Sequence, residues 1–247
     1  MAAQPVRVAA AASFRQALDQ IVAAYEKQSG QRIVVTYGAT GNLTGQMLHG
    51  APFDMLLAAD EEGTARLATA GLTTGPPQIL VRGRISLVLA SKSPIGIRLA
   101  FTGDAIESVL PDVGGLRDAL ATGKIRRFAI ANPELAPYGR AAKEALTKLN
   151  LLELTRPRFV FGENVGQVAQ YVASGAAEAG ITAHALTIAE PLASALQTFA
   201  LPQGLHGPIN QTFVVVKQAS AAAADFARFL VGPEARAIFD RNGFDRP

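Results

Sequence analysis

The 247-residue chain is 49% hydrophobic and 17% charged, with 23 Lys and Arg against 20 Asp and Glu for a net charge of +3, three His, no Cys and no Trp. That length makes one large α/β domain or two small ones, because single hydrophobic cores stop growing near this size. Without Cys there is neither a disulfide nor a thiolate zinc site, three scattered His disfavour a histidine-built metal centre, and no basic block of the nucleic-acid-binding kind occurs. No apolar run reaches membrane-spanning length. Met1 to Pro5 has no charged or apolar leader character, so an export signal is expected to have been removed ahead of it.

Short apolar strands then alternate with helical patterns, the mark of βαβ units and parallel sheets. Val6 to Ala12 reads as the first strand, and Ser13 with Gln16 as a Ser-x-x-Gln capping box opening a helix that stops at Gly30. A second strand, Arg32 to Tyr37, enters Gly38-Ala39-Thr40-Gly41-Asn42 and a helix through Leu43, Met47 and Leu48. A third strand, Asp54 to Ala59, precedes a helix from Glu61 to Ala70. Gln78 to Ala90 is long, extended and interrupted by Arg82-Gly83-Arg84, which suits a crossing between two lobes. After a Gly- and Pro-rich stretch, 96–115, the rhythm resumes with strand Phe128 to Ala131, loop Asn132 to Gly139 and helix Arg140 to Leu149. Strand Arg158 to Phe161, the turn Gly162-Glu163-Asn164, helix Val165 to Ala173 and strand Ala179 to Ala183 follow. Pro208 to Val216 is the last extended segment, before helices 221–230 and 233–242.

The sequence contains no G-x-S-x-G elbow, no G-x-x-x-x-G-K-[ST] phosphate loop, no G-x-G-x-x-G turn and no H-E-x-x-H pair, so an enzyme is disfavoured. What it does contain is a set of polar helix entrances at Ser13, Thr40, Tyr138 and Val165, each preceded by a strand. In an open α/β sheet such entrances sit at the carboxyl ends of the strands, where ligands bind. Unpaired N–H groups and the positive ends of helix dipoles make them receptors for an anion, with no Lys or Arg required.

Several ordered motifs carry a family resemblance over nearly the whole chain. They are Ala9-Ala10-Ala11-Ala12-Ser13-Phe14, Gly38-Ala39-Thr40-Gly41-Asn42-Leu43, Gly50-Ala51-Pro52-Phe53-Asp54-Met55 with Ala58-Ala59-Asp60, Asn132-Pro133-Glu134, Pro137-Tyr138-Gly139-Arg140, Gly162-Glu163-Asn164-Val165 and Gly243-Phe244. Together they resemble the periplasmic molybdate-binding proteins of ABC transporters. The resemblance implies an α/β, two-lobed type II periplasmic-binding-protein fold, each lobe a mainly parallel sheet flanked by helices. Residues 1–84 and 207–247 would form lobe one and 85–206 lobe two, with two crossing segments as hinge. It implies binding of a tetrahedral oxyanion, molybdate or tungstate, in the inter-lobe cleft, with no cofactor, followed by delivery to a membrane permease by a monomeric periplasmic protein whose closure the permease reads. Ser13 and Thr40 would donate from lobe one and the backbone N–H groups of Tyr138 and Val165 from lobe two, with Ala12, Ala39, Gly139 and Asn164 as minor contributors.

The pattern departs from the family at three places. Gly180-Ile181-Thr182 is followed by Ala183 where a Tyr donor is usual, Leu186 replaces an Asp, and Asn210-Gln211 replaces a Tyr-Pro. Tyr138 stands where Ala is common, so its phenol is a candidate to replace the lost donor. A reshaped pocket for another oxyanion or a small organic anion is the alternative, and the effector-binding core of a transcriptional regulator is another. No helix-turn-helix pattern appears before residue 6. Asp54 and Asp60 are expected to brace or cap strand ends, and His49, His184 and His206 to stand outside the ligand shell.

Overall fold

The computed structural model describes residues 4–97 and 113–247. The chain divides into two compact units, Met1–Gly83 with Ile209–Pro247, and Arg84–Pro208. Most of the Gly- and Pro-rich stretch read at 96–115 lies outside the described residues.

The first pass through unit one runs β1 (Val6–Ala11), α1 (Arg15–Ser29), β2 (Ile33–Gly38), α2 (Thr40–Leu48), β3 (Met55–Ala58), α3 (Glu61–Thr69) and β4 (Gln78–Gly83). Unit two follows with β5 (Ile85–Ala90), α4 (Gly114–Ala121), β6 (Phe128–Ala131), α5 (Pro137–Lys148) and the single turn α6 (Leu152–Thr155). It continues through β7 (Phe159–Gly162), α7 (Val165–Ala173), β8 (Ala179–Ala183), the single turns α8 (His184–Thr187) and α9 (Leu192–Ala195), and β9 (Leu196–Ala200). The chain then returns to unit one as β10 (Ile209–Val215), α10 (Ala221–Leu230) and α11 (Pro233–Arg241).

Each unit is built on a five-stranded sheet, ordered β2-β1-β3-β10-β4 in unit one and β7-β6-β8-β5-β9 in unit two. In both, four strands share one direction and the fifth is reversed. The reversed strands are β10, antiparallel to β3 and β4, and β5, antiparallel to β8 and β9. These are the strands with which the chain enters each unit from the other, so each sheet is mixed although the βαβ repeats within it are parallel. The strand read across 78–90 is thus two strands, β4 and β5, divided at Gly83 and Arg84 between the units.

Burial explains why these segments hold. All six residues of β1 except Arg7 are buried, as are all four of β3 and of β6 and all five of β8, as expected for strands covered on both faces. Helix α1 shows one apolar face, with Ala17, Leu18, Ile21 and Tyr25 buried, and ends where Gly30 turns left-handed at φ 69° and donates its N–H to the Glu26 carbonyl. The C-terminal helices clamp that helix. Tyr25 lies 5.0 Å from Phe226 and 5.3 Å from Phe229, while Phe14 packs edge-on to Phe239 at 6.0 Å and stacks on Phe244 at 5.7 Å. Burial of rings like these contributes about 1.5–3 kcal/mol each. Two of these rings, Phe239 and Phe244, anchor Phe14, the neighbour of Ser13.

Candidate functional site

In unit one, β1 and β2 are parallel neighbours and end level with each other, Ala11 lying beside Gly38. Ser13 and Thr40 follow those two residues, so the topology brings the first two helix entrances together at adjacent strand ends. Both side chains are buried, Ser13 at 1% and Thr40 at 2% exposure. Thr40 is the first residue of α2, whose cap, Ala39, has no side-chain acceptor to offer the leading N–H groups. Its oxygen accepts the Ala59 N–H at 3.0 Å, which leaves the hydroxyl hydrogen to be given elsewhere.

Ser13 differs from its sequence reading. Residues 12–14 form a 3-10 turn and α1 begins only at Arg15, with Phe14 as a cap that makes no side-chain bond, so the capping box with Gln16 does not form. The tight turn places Ser13 inside it, and its hydroxyl hydrogen goes to Gln211 Oε1 at 2.9 Å, 198 residues away in sequence. Gln211 is fully buried. The β10 ladder against β4 shifts register between Gln211 and Thr212, a bulge of the kind that re-aims side chains beside binding sites. Next to it, Thr212 donates to the Asp60 carbonyl at 2.6 Å and bonds the Thr64 hydroxyl at 2.7 Å. Sequence reasoning left Gln211 out of the site because a contact over that separation has no local signal. Ala12 is buried in the same turn.

Unit two repeats the arrangement. Strands β6 and β7 are parallel neighbours with Ala131 beside Gly162, and each leads into a helix. Helix α5 starts at Pro137, three residues before its sequence reading, because Pro suits the first helical position where an N–H has no partner. Tyr138 therefore carries the leading N–H of α5, and at 3% exposure it is a buried residue rather than a loop tyrosine. Gly139 is obligatory, since a Cβ there would stand 2.2 Å from the Ala131 carbonyl oxygen, so this first turn is pressed onto the end of β6. The Gly139 N–H itself goes to the Ala136 carbonyl at 2.9 Å, which makes Gly139 a packing residue.

At α7 the side-chain cap that Ser13 lacks is present. Asn164 Oδ1 accepts from Gly166 N–H at 2.9 Å and Gln167 N–H at 3.2 Å, and Gln167 Oε1 accepts from Glu163 N–H at 2.8 Å. Of the first three N–H groups of the helix, only that of Val165 is not taken by the cap. Thr182 on β8 fixes the same residue from behind by donating to the Val165 carbonyl at 2.8 Å. Ala183 is buried and offers no side-chain donor.

The remaining candidates have structural partners. Asp60 caps α3 through Gly63 N–H, and Asp54 accepts the Arg7 N–H at 2.7 Å, bracing the start of β3. His49 Nδ1 lies 2.7 Å from the Gly45 carbonyl and His184 Nδ1 2.9 Å from Ser86 Oγ. Among the described residues no group of three His, Cys, Asp or Glu could hold a metal ion. A cavity of about 570 Å³ opens in unit one, but at the amino end of β1 and β3, among Arg7, Met47, Asp54, Leu67 and Lys217. Helices α2 and α3 finish on that side, so their carbonyl ends face it and disfavour an anion. The strand ends carrying Ser13 and Thr40 are at the opposite edge of the sheet.

Known proteins resemble this chain over nearly its whole length. The sequence profile of the bacterial extracellular solute-binding protein family matches residues 6–245. The "Molybdate-binding protein ModA" of Azotobacter vinelandii is 30% identical over 98% of this chain and 90% of its own length, and that of Rhodobacter capsulatus 30% identical over 98% and 89%. Among solved structures, the periplasmic molybdate-binding protein of Azotobacter vinelandii superposes with a TM-score of 0.83 at 29% identity, covering 98% of this chain and 99% of that one. The sulfate-binding protein SubI from Mycobacterium tuberculosis shares the fold, with a TM-score of 0.75 at 17% identity over 98% of this chain and 86% of that one.

Proposed function

The chain belongs to the bacterial extracellular solute-binding proteins, and from that premise we propose that it is the periplasmic binding component of an ABC importer for a tetrahedral oxyanion, with molybdate and tungstate as first ligands. The observation that carries the reading is the paired helix entrances, Ser13 with Thr40 on neighbouring strands of one sheet and Tyr138 with Val165 on neighbouring strands of the other. Each pair offers hydroxyl or N–H donors and helix N-termini, and none of the four residues is charged. Such a receptor suits an ion that arrives fully ionised and has no proton of its own to donate. Fixed donors that are buried also strengthen each hydrogen bond, because little water competes.

In this reading the Ser13 and Thr40 hydroxyls and the backbone N–H groups of Tyr138 and Val165 bind the anion. Gly139, Asn164 and Thr182 hold those donors in place. The Tyr138 phenol is a further donor in place of the one absent at Ala183. The protein acts as a monomer, leaves its ligand chemically unchanged and hands it to a membrane permease. Names carried by the relatives at 30% identity support molybdate as the ion.

Calorimetric titration of the purified protein with molybdate, tungstate, sulfate and phosphate tests the proposal. Saturable one-to-one binding of molybdate and tungstate is expected. No heat and no thermal shift with any of the four would remove it.

A further inference from the structure

Gly63 is a buried residue in the first turn of α3, inside a helix, where Gly is disfavoured against every ordinary residue except Pro. Space explains its presence. A Cβ on Gly63 would stand 2.6 Å from Thr40 Cγ2 and 2.9 Å from Thr44 Oγ1, so α3 lies directly against the first turns of α2. The Thr40 methyl occupies the niche that the missing side chain leaves, while the Thr40 oxygen accepts the Ala59 N–H on the chain leading into α3. A threonine carries two heavy atoms on its Cβ and has few rotamers. With its methyl seated on Gly63 and its oxygen on Ala59, the Thr40 side chain is set before any ligand arrives.

The wall that Gly63 makes is itself anchored. Asp60 Oδ1 accepts the Gly63 N–H at 2.9 Å, the Asp60 carbonyl accepts the Thr212 hydroxyl at 2.6 Å, and Thr64, next to Gly63, bonds the Thr212 hydroxyl at 2.7 Å. The first turn of α3 is thereby tied to β10. Of the two side chains that press on Gly63, Thr44 is the less committed. Its buried Oγ1 has no hydrogen-bond partner among the described residues, so it can turn without breaking a bond. Thr40 cannot turn without taking its oxygen off the N–H of the buried Ala59.

We propose that Gly63 is a positioning residue for anion binding: it fixes the rotamer of Thr40, and with it the direction in which the hydroxyl hydrogen is given. This rests on the reading that Thr40 meets the anion. It also gives the Thr40 methyl a purpose, since a serine would leave the niche empty and its own rotamer free, and a donor already in place loses less entropy on binding.

Calorimetric titration with molybdate, tungstate, sulfate and phosphate tests this in the parent, Thr40→Ser, Gly63→Ala, Gly63→Ala/Thr40→Ser and Gly63→Ala/Thr44→Ala. Gly63→Ala should weaken every oxyanion that the parent binds by about tenfold or more, the value of one hydrogen bond to a charged group. Adding Thr40→Ser, which removes the methyl that the new Cβ strikes, should bring affinity back to within a few-fold of Thr40→Ser alone. Adding Thr44→Ala should recover little. The order of Thr and Ser at position 40 thus reverses when residue 63 gains a side chain, a coupling that a loss of stability alone does not produce.

Parent-like affinity in folded Gly63→Ala overturns the proposal and leaves the oxyanion reading standing. So does recovery by Thr44→Ala as large as that by Thr40→Ser. A parent protein silent toward all four ions overturns both. In the parent itself, three-bond couplings at Thr40 should report one side-chain rotamer, with its methyl within nuclear Overhauser reach of the Gly63 α-hydrogens. Rotamer averaging, or no such contact, overturns the proposal even where Gly63→Ala does not fold.

Discussion

Thr182 on β8 donates its hydroxyl hydrogen to the carbonyl oxygen of Val165, the first residue of α7, at 2.8 Å, and both residues are buried. A middle strand of the sheet thereby fixes the start of a helix that begins at the end of a neighbouring ladder. The bond lies one residue before Ala183, where the side chain can offer nothing.

Replacing Thr182 by Val keeps the shape and removes the donor, leaving the Val165 carbonyl with its place in the α7 ladder alone. Urea unfolding should show a loss of about 0.5–1.5 kcal/mol, the net contribution of one hydrogen bond. Molybdate affinity should fall with it, because the Val165 N–H is no longer held in register. Thr182→Ser should restore most of both.

Gly139→Ala separates helix propensity from packing. Propensity alone predicts a more stable helix, by up to about 1 kcal/mol. The Cβ would, however, enter to 2.2 Å from the Ala131 oxygen, so α5 must shift away from β6. A net loss of about 1–3 kcal/mol is expected from overpacking, together with weakened anion binding. A melting temperature at or above that of the parent would show that the first turn is looser than this geometry implies.

Thr40→Val removes two interactions at once: the acceptor for the buried Ala59 N–H and the hydroxyl hydrogen assigned to the anion. Hydrogen bonds to charged groups contribute about 1.5–3 kcal/mol, so molybdate affinity should drop roughly tenfold to a hundredfold. Thr40→Ser keeps both bonds and should bind within a few-fold of the parent. Equal affinity in all three proteins would exclude Thr40 from the ligand shell.

His206 gives a pH dependence with a definite sign. Its Nδ1 faces the Gly207 carbonyl at 2.6 Å and its Nε2 is buried with no partner among the described residues. Burial lowers its pKa, an effect strengthened by Lys148 and opposed by the Gly207 carbonyl and by Glu144. The unfolded chain therefore takes up a proton at higher pH than the folded one does. Stability is complete above the unfolded value near pH 6.5 and declines as pH falls from there toward the folded value. Denaturation midpoints should fall as the pH drops below about 6.5, and His206→Asn should flatten that segment of the curve.

The strands and long helices were legible because their hydrophobic periods are unambiguous. Segments 128–131, 165–173, 179–183 and 221–230 have the bounds read from the sequence. The misreadings have separate causes. Ser13 carries the capping pattern, but the chain leaves β1 through a 3-10 turn, and a tertiary partner, Gln211, takes the hydroxyl instead. Asn164 caps α7 and Gln167, three residues on, reaches back to the Glu163 N–H, so a helix-start signal is present there in the sequence. Pro137 marked the true start of α5. Strand β9 was missed because it is a five-residue edge strand with only one buried residue and no clean alternation. Gln211 was noticed as a departure from a familiar pattern, but its contact could not be read, since only folding brings residue 211 to residue 13.

The position of β10 governs the order in which the molecule can form. It lies between β3 and β4, so β4 has no neighbour in its sheet until residues 209–215 have been made. Unit two, in contrast, is one continuous segment and can complete its sheet as soon as residue 200 is available. During synthesis the second unit can therefore be finished while the first still has an open strand edge, and a chain stopped before residue 209 would keep that edge exposed to unwanted pairing. The last strand added to unit one is also the strand that supplies Gln211 to Ser13, so the buried bond at the end of β1 can form only after the first sheet has closed.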